Sequence, residues 1–371
     1  MKRADVIVIG GGIAGVSAAA ELAEAMQVVL LESEPQAGYH SSGRSAAYFA
    51  SAYGNEAVRG ITAASESFYL RPPVDFCEHS LIRPRDCLFV AREDQLEHFS
   101  EMKHAVPELL SCDANQVLNH VPILKPAYAA AGLLDSRGGD LDADASLQGY
   151  MRWFRRRGGE FVGGSEVNAL SYKNACWTVR CADAEYSAPL VINAAGAWAD
   201  TIAQLAGLDA LGITPKRRSV LLIDAPRGHD INSLPLTIDI EEQFYFKPDA
   251  GQLLVSPANE DPSLACDAQP DEMDIAIAVD RFMSATEVEV RRINHSWAGL
   301  RSFAPDKTFV VGFDPRCEGF FWLAGQGGYG IQSAPGLAQL TAHQIAGRSL
   351  NGDFKTLVNY SDAVRPDRLI Q

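Results

Sequence analysis

Apolar residues near the start of the chain follow one pattern typical of strands and then one typical of helices. Four consecutive β-branched residues at 6–9 predict a strand buried on both faces of a parallel sheet. From Ile13 the chain is rich in alanine and meets its first charge at Glu21, which predicts a helix. A second apolar run at 28–31 predicts the neighbouring strand. These elements form a β-α-β unit.

A G-x-G-x-x-G motif links the first strand to the helix. Its first glycine allows a tight turn, its second lets a pyrophosphate approach the backbone, and its third lets helix and strand pack closely. The helix N-terminus offers free N–H groups to phosphates. Glu32 lies 20 residues after Gly12, where an acid binds ribose hydroxyls. The predicted dinucleotide contacts are Gly10, Gly12, Ile13, Ala14, Gly15 and Glu32.

Later in the chain the pattern changes to short strands and isolated helices. Four strands are predicted, at 219–223, 236–240, 243–247 and 253–256. Residues 95–129 have a mixed, largely helical pattern that three prolines interrupt. Residues 333–345 predict a C-terminal helix with Pro335 in its first turn.

Composition and charge exclude several classes of protein. The 371 residues are 47% hydrophobic and 21% charged, as in soluble globular proteins, which excludes a disordered chain or a coiled coil. The net charge of −15 disfavours nucleic-acid binding. The seven cysteines form no C-x-x-C pair, so neither a metal site nor a redox dithiol is expected, and a reducing, cytoplasmic location is predicted.

The uncharged run at 6–20 also imitates a signal peptide, but the glycine spacing explains it better as strand, turn and helix. Its 15 residues are too few to span a membrane, so we expect no transmembrane segment there.

Further blocks carry a family resemblance. They are G-Y-H-S-S-G-R-S-A-A from Gly38, F-C-E-H from Phe76, N-A-A-G-A-W from Asn193, P-K-R-R-S from Pro215, F-Y-F-K-P-D-A-G from Phe244, W-A-G-L-R-S-F from Trp297 and G-Q-G-G-Y-G-I-Q from Gly325. In these blocks the chain resembles the D-amino-acid oxidase-like family of FAD-dependent amine oxidoreductases. Within that family it is similar to the bacterial D-arginine dehydrogenases over nearly the whole chain.

The resemblance implies an α/β fold with a Rossmann-like three-layer FAD-binding domain and a smaller α+β substrate domain built on an antiparallel sheet. The cofactor blocks lie far apart, so the FAD-binding domain is expected to be discontinuous. We assign it residues 1–81, 138–215 and 300–371, and we assign the substrate-binding domain residues 82–137 and 216–299.

The cofactor contacts also follow from the resemblance. Beyond the N-terminal motif, the implied FAD contacts are Ser41, Gly43, Arg44, Ser45, Ala46, Ala195, Gly196, Trp198, Gly299, Arg301, Gly327, Gly328, Tyr329, Gly330, Ile331 and Gln332. Some relatives attach FAD through a cysteine near the block at 297–303. This block contains no cysteine, so FAD is expected to bind non-covalently.

The implied activity is oxidative deamination of D-amino acids in amino-acid catabolism. Hydride would pass from Cα to flavin N5, and the imino acid product would hydrolyse to a 2-oxo acid and ammonia. The protein must orient the substrate carboxylate, which arginine binds in a bidentate manner. From composition alone an exposed or ion-paired arginine is the commoner explanation, and core packing is the alternative for the tyrosines; the motif match favours catalytic roles for both. The implied catalytic residues are Tyr53, Arg218, Tyr245, Arg301 and Gln332.

The substrate pocket differs from that of the resembled enzymes. Cys87 stands where they have a glutamate that attracts the substrate guanidinium, and Tyr48 replaces a histidine. Leu236 and Ile238 match apolar wall positions, and Gly328 lies near the amine. The pocket is therefore expected to favour neutral or apolar D-amino acids, unless a shifted register brings an acid inward.

A mobile lid is implied at 45–56, which is rich in small residues. A rigid, alanine-rich turn and helix is the alternative for this segment.

The implied partners are a D-amino acid and a quinone or other electron acceptor, and contact with a membrane surface stays open. Three alternatives remain. One is an oxidase of D-amino acids or secondary amines that uses O₂, and another is a flavoprotein subunit without its own turnover. The third is an NAD-dependent dehydrogenase, which rests on the N-terminal motif alone.

Overall fold

The computed structural model describes residues 1–370, and within them lie eight α-helices and twenty-two strands. The helices are α1 Ile13–Leu22, α2 Glu56–Leu70, α3 Leu96–Ala105, α4 Ala114–His120, α5 Ala143–Arg156, α6 Ala199–Leu205, α7 Glu272–Ala285 and α8 Gly330–Ala346. The strands are β1 Lys2–Arg3, β2 Val6–Ile9, β3 Val28–Leu31, β4 Tyr48–Phe49, β5 Ile82–Pro84, β6 Cys87–Ala91, β7 Leu110–Asp113, β8 Ala131–Asp135, β9 Gly139–Leu141, β10 Glu160–Val162, β11 Val167–Lys173, β12 Cys176–Cys181, β13 Glu185–Ala188, β14 Leu190–Asn193, β15 Thr214–Ile223, β16 Leu236–Asp239, β17 Tyr245–Asp249, β18 Gln252–Ser256, β19 Asp261–Pro262, β20 Ile293–Phe303, β21 Val310–Phe313 and β22 Phe320–Ala324.

A six-stranded sheet in the order β10-β3-β2-β14-β22-β21 forms the centre of the first part of the fold. All its neighbouring strands run parallel except β21 and β22. Alternate residues of β2 face opposite sides. Val6 and Val8 pack with the helices α1, α5 and α8, whereas Ile7 and Ile9 pack with α6 and the small sheet β1-β13-β12-β11. The predicted three-layer arrangement is confirmed.

A nine-stranded, largely antiparallel sheet forms the second part. Its order is β19-β15-β18-β17-β16-β6-β8-β7, with β20 also paired to β15. One face packs against α4 and α7, and the other carries an apolar cluster near the cavity described below. The predicted boundaries at 215/216 and 299/300 fall inside β15 and β20, which pair along their whole length. The two parts are therefore joined by continuous strands, and the domain division stays a prediction.

The C-terminal helix begins earlier than its pattern predicts. Helix α8 starts at Gly330, so Pro335 lies inside the helix rather than in its first turn. A proline at this position cannot donate a backbone hydrogen bond to the carbonyl four residues earlier. The hydroxyl of buried Tyr69 donates to that carbonyl, on Ile331, and satisfies it instead. The tertiary contact makes the proline tolerable.

The segment at 95–129 also differs from its prediction. It contains α3 and α4, but strand β7 lies between them and pairs with β8. Among the described residues, no helix has both the length and the apolar character needed to cross a bilayer.

Candidate active site

A cavity of ≈ 260 Å³ opens at the carboxyl ends of the parallel strands β2, β3 and β14. Ligands of open α/β sheets bind at this edge. The cavity extends to the nine-stranded sheet, where Arg218, Tyr245 and Arg301 line its far end. One continuous space therefore joins the predicted nucleotide site to the predicted substrate site.

Two glycines of the N-terminal motif are required by close backbone approach. Gly10 has φ +111°, and a Cβ there would lie 2.3 Å from the Ala194 carbonyl oxygen. A Cβ on Gly15 would lie 1.9 Å from the carbonyl oxygen of Gly10. Gly15 thus lets α1 pack against the first turn, and it does not itself line the cavity in the described chain.

The nucleotide end of the cavity has a fixed carboxylate. Glu32 accepts hydrogen bonds from the backbone N–H groups of Gly11 and Glu34, the second at 2.9 Å. These bonds hold its side chain at the cavity wall, at the end of β3. This is the place that ribose recognition requires.

The N-terminus of α1 has a partner that the sequence analysis missed. The Ser42 hydroxyl accepts from the Ile13 N–H at 2.9 Å and lines the cavity. Ser41, which was predicted instead, donates to the Leu300 carbonyl at 2.6 Å and also lines the cavity. Both serines belong to one quoted block, so only the turn geometry shows which hydroxyl faces the helix.

Arg44 lines the cavity, but its guanidinium already forms hydrogen bonds and an ion pair with other protein groups. It donates to the carbonyls of Ala268 at 2.8 Å and Ala298 at 3.2 Å, and it forms an ion pair with Asp267. Arg44 therefore fastens the loop at 267–268 to β20, and its role toward a cofactor is to shape the wall.

Most of the predicted cofactor residues line this cavity. They are Gly10, Gly12, Ile13, Ala14, Glu32, Ser41, Arg44, Ser45, Ala46, Ala195, Gly196, Trp198, Gly299, Arg301, Gly327, Gly328, Gly330 and Ile331. Gly43 and Tyr329 are not among the described lining residues; Gly43 packs against the Gly38 carbonyl, and Tyr329 is buried against Tyr53. Val167 on β11 also lines the cavity, although no sequence motif marks it.

Two buried arginines converge at the substrate end. Arg218 on β15 lies opposite Gly299 of β20, and Arg301 lies two residues further along β20. Arg301 packs on the backbone of Gly328, where a Cβ would lie 2.9 Å from Nη1. Arg217 faces the other side of β15 and pairs with Asp274 at 2.9 Å. The preference for Arg218 over Arg217 is thus consistent with strand alternation.

Two buried polar atoms at this end of the cavity have no hydrogen-bond partner among the described residues. The hydroxyl of Tyr245 and Nη1 of Arg301 are buried, and no described group accepts from or donates to them. Arg218 donates to the Asn259 carbonyl at 2.8 Å and lies 3.4 Å from a Glu260 oxygen. Buried donors without partners are costly, so a polar ligand is expected to complete them.

The arginines also set the electrostatics of the site. Burial lowers the pKa of Arg218, and the charge of Arg301 lowers it further. Burial by itself would raise the pKa of Tyr245, but the charges of Arg301 and then Arg218 outweigh it and hold that pKa below its ordinary value. The site therefore favours negative charge.

Tyr53 closes the outer side of the site without lining the cavity. Its hydroxyl donates to Glu242 Oε2 at 2.9 Å, which joins the segment at 45–56 to the turn after β16. Burial and the Glu242 charge raise the pKa of Tyr53. Tyr53 is near both arginines, but its hydroxyl faces Glu242 rather than the unpartnered atoms.

Gln332 does not face the cavity, contrary to its predicted catalytic place. Its side-chain amide accepts from the Ala50 N–H at 3.0 Å and donates to the Ala50 carbonyl at 3.3 Å and the Thr62 hydroxyl at 3.0 Å. The amide is thus used to hold the backbone at Ala50, and Gln332 is a positioning residue. Sequence spacing could not reveal these partners because Ala50 is 282 residues away.

The predicted pocket residues lie behind the cavity wall. Cys87 on β6 pairs with Leu236 on β16, and both belong to an apolar cluster with Tyr245. Ile238 and Tyr48 pack against the same cluster. The Tyr48 hydroxyl donates to the Arg85 carbonyl at 2.6 Å. These residues therefore border the substrate end as an apolar layer, while Gly328 lines the cavity directly.

A shifted register of β16 could bring Asp239 or Glu241 into the substrate pocket, but both carboxylates already have hydrogen-bond partners outside it. Asp239 is buried and accepts from Gln95 at 3.1 Å, and Glu241 accepts from the same amide at 3.0 Å. Another acid lies beside Cys87, because Asp135 is its partner on β8. Asp135 accepts from Ser51 at 2.6 Å and pairs with Arg137 at 3.1 Å.

Comparison with known proteins identifies the family. The model of the FAD dependent oxidoreductase (DAO) family matches residues 5–344. The chain belongs to this family. FAD is therefore the dinucleotide of the cavity, and the NAD-dependent alternative is excluded.

Individual relatives of this FAD-dependent oxidoreductase are distant. FAD-dependent oxidoreductase domain-containing protein 1 is 25% identical in Mus musculus, over 96% of this chain and 83% of the mouse protein. The Xenopus laevis form is 29% identical over 45% of this chain, and that match spans only 36% of the frog protein.

Solved structures share the fold. L-proline dehydrogenase from P. horikoshii has a TM-score of 0.84 at 20% identity, covering 99% of this chain and 98% of that one. Glycine oxidase from Geobacillus kaustophilus has a TM-score of 0.81 at 19% identity, covering 94% and 96%. The resemblance to the D-arginine dehydrogenases stays a prediction.

The residues of the cavity suit FAD. The N-terminus of α1 and the side-chain-free Gly12 fit a pyrophosphate, and Glu32 fits a ribose. The backbone at 327–328 and β20 form the wall at the other end. The lining residues of the described chain include no cysteine, and non-covalent binding of FAD stays a prediction.

Proposed function

We propose that this FAD-dependent oxidoreductase is a D-amino-acid dehydrogenase, acting on CH–NH₂ donors. The observation that carries the proposal is the pair of unpartnered buried donors, Arg301 Nη1 and Tyr245 OH, beside the second cation of Arg218. A carboxylate supplies the charge and the acceptor oxygens that these groups lack.

The chain's own residues orient the substrate. A carboxylate between the two guanidiniums and Tyr245 would place the neighbouring Cα and amine beside Gly328, at the end of the cavity. When bound, FAD would supply the acceptor for the hydride that leaves the substrate Cα–H bond as the Cα–N single bond becomes a C=N bond. The two arginines and Tyr245 thus contribute orientation and charge at this end of the cavity.

The substrate side chain meets the apolar layer next. Cys87, Leu236 and Ile238 present no charge, and Cys87 is buried with a pKa raised by that burial and by nearby Asp135. A neutral thiol cannot replace a charge-assisted contact to a guanidinium. We therefore expect neutral or apolar side chains to be preferred over arginine. The D-configuration rests on the family resemblance.

The electron acceptor and location are proposals as well. A quinone or another carrier is expected as acceptor, at a cytoplasmic site. The seven cysteines are free, in keeping with a reducing compartment. Use of O₂ is the second candidate, favoured by the structural similarity to a glycine oxidase.

An anaerobic screen of flavin absorbance tests the proposal. D-leucine, D-methionine and D-phenylalanine should bleach the flavin, their L-enantiomers should not, and D-arginine should not be the best substrate by ten-fold or more. Mixing the reduced enzyme with air-saturated buffer then separates the candidates, because fast reoxidation with peroxide release would identify an oxidase. If no amino acid bleaches the flavin, the subunit without turnover becomes the better account.

A further inference from the structure

A second cavity of ≈ 340 Å³ adjoins the active site. It lies between the small sheet β4-β9-β5 and the hairpin of β17 and β18, with Trp297 on one wall. Ser45 and Ala46 line both cavities, so this short segment is the partition between them. The implied lid begins at the same residues.

The second cavity holds two nearly buried cations. The side chains of Lys247 and Arg85 are 4% and 9% exposed, and they share one carboxylate, Asp140, at 2.8 and 2.7 Å. Arg85 also donates to the carbonyls of Asn232 and Leu234. Two positive charges on one carboxylate leave an excess that an anion could neutralise.

The outer part of the cavity adds one charge of each sign. Arg83 is exposed at the rim, and Asp249 lies 3.9 Å from the Lys247 amine. The lining thus carries one net positive charge, from three cations and two carboxylates, on a chain whose net charge is −15. A cleft of opposite sign to the protein concentrates anionic ligands.

Strand register connects the second cavity to the carboxylate site. Lys247 follows Tyr245 by two residues on β17, so the two side chains share one face of the sheet, about 7 Å apart along the strand. Leu254 of β18 lies directly opposite Lys247 and also lines the second cavity. The same face carries Leu236 and Cys87. By the register of β16 with β17 and of β6 with β16, Leu236 and Cys87 lie level with Lys247, and Ile238 lies level with Tyr245. The arginine pair, Tyr245, the apolar layer and Lys247 therefore share one continuous face of the sheet.

We propose that the second cavity binds an anionic group at the far end of the substrate side chain, with Lys247 as the specificity-determining cation. The inference rests on the proposed function and extends it. Besides neutral and apolar D-amino acids, the substrates would then include those whose short methylene chain lies against the apolar layer and ends in a carboxylate. Movement of the segment at Ser45 and Ala46 would join the two cavities.

The test compares each acidic substrate with its neutral amide. We expect kcat/KM for D-glutamate to exceed that for D-glutamine by about ten-fold or more, the effect of one charged hydrogen bond, and the same order for D-aspartate and D-asparagine. Lys247→Met should bring the ratio of kcat/KM for the acid to that for its amide close to one, and Lys247→Arg should preserve the preference for the acid. Lys355→Met, at an exposed lysine outside both cavities, is the matched control and should leave the ratio unchanged.

Arg83→Gln provides a second route if Lys247→Met does not fold. It changes an exposed rim charge and should reduce the ratio without disturbing the pairs with Asp140. Equal turnover of acid and amide in the unaltered enzyme, or a ratio that survives Lys247→Met, would overturn the inference. Acetate could instead change D-leucine turnover only when Lys247 is present, while acidic substrates have no advantage over their amides. That result would assign the cavity to a separate anion and would also overturn the inference.

The proposed function fails separately. If no D-amino acid reduces the flavin, the dehydrogenase proposal is wrong and the second cavity has no substrate to serve. If neutral D-amino acids reduce it and the acidic ones have no advantage, only the inference about Lys247 is wrong.

Discussion

In the proposed function, Arg301 is the residue on which substrate binding should depend most, because its Nη1 has no protein partner in the described chain. Replacing it by alanine removes a charge-assisted contact to the carboxylate, worth about 1.5–3 kcal/mol, or about 10- to 150-fold in kcat/KM. Steady-state kinetics with D-leucine measures the loss. Arg291→Ala, at an exposed arginine paired only with Glu289, is the control and should change little. Unchanged kinetics in Arg301→Ala would remove Arg301 from the site.

The ionisation of Tyr245 should make carboxylate binding depend on pH. As a neutral phenol it donates to a carboxylate, and as a phenolate it repels one. Because Arg301 and Arg218 lower its pKa, affinity should fall as pH rises through a value below the ordinary tyrosine pKa of about 10. Binding of benzoate, which has no amine to titrate, can be followed by the change in flavin absorbance. Tyr245→Phe should bind more weakly and lose this alkaline decline; a decline that persists in the variant would assign it to another group.

At the residue scale, the sequence predicts which side chains share a site better than it predicts their bonds. Strand alternation and motif matching place Arg218, Arg301 and Tyr245 together, as the structure does. The position of the Gln332 side chain could not be predicted in this way, because the packing of α8 brings it to the backbone of Ala50. The partners of Arg44 could not be predicted either, because its guanidinium donates to the backbone of a loop that is distant in sequence.

At the scale of elements, helix α8 tests how a tertiary contact replaces a backbone hydrogen bond. Tyr69→Phe should lower the free energy of unfolding by about 1–3 kcal/mol, because it leaves the buried Ile331 carbonyl without a donor. Pro335→Ala supplies a backbone N–H to that carbonyl, so the double variant should recover part of the loss. Chemical denaturation of the three variants measures the coupling. Additive effects would show that the hydroxyl and the proline act independently.

Three of the hydrogen bonds that hold the segment at 45–56 have partners of unequal burial. Gln332 and Asp135 are buried partners of Ala50 and Ser51, whereas Glu242, the partner of Tyr53, is exposed. Hydrogen exchange should therefore be faster around Tyr53 than at Ala50 in the free enzyme, and it should slow when a carboxylate binds. Slow exchange that ignores the ligand would favour the rigid alternative. Gln332→Leu should speed exchange at Ala50, and the exposed variant Gln148→Leu, on α5, should not.

Elements near the N-terminus are predicted well because their signals are local. The first strand, the helix from Ile13 and the strand at 28–31 occur where the pattern puts them. The strand inserted at Leu110–Asp113 was not predicted, since its stability comes from pairing with β8 rather than from its own residues. Sheet order is likewise beyond a single sequence, because it is fixed by pairings distant along the chain.

At the scale of the whole molecule, function depends on one cavity that spans both sheets. Its nucleotide end is built by the six-stranded sheet, and its carboxylate end by β15, β17 and β20 of the nine-stranded sheet. Because β15 and β20 run through the predicted domain boundaries, they set the separation of the two ends. The discontinuous layout was predictable from the spacing of the glycine blocks, but the continuity of these strands was not.

The central claim is that this cavity orients an amino acid by its carboxylate. Anaerobic flavin reduction by D-leucine and by 3-methylbutylamine, the same molecule without the carboxylate, tests it directly. D-leucine should bleach the flavin rapidly, and the amine should be slower by at least the roughly ten-fold that one charged contact provides. If the amine reduced the flavin as fast as D-leucine, the two arginines and Tyr245 would not be a carboxylate site, and the account would be contradicted.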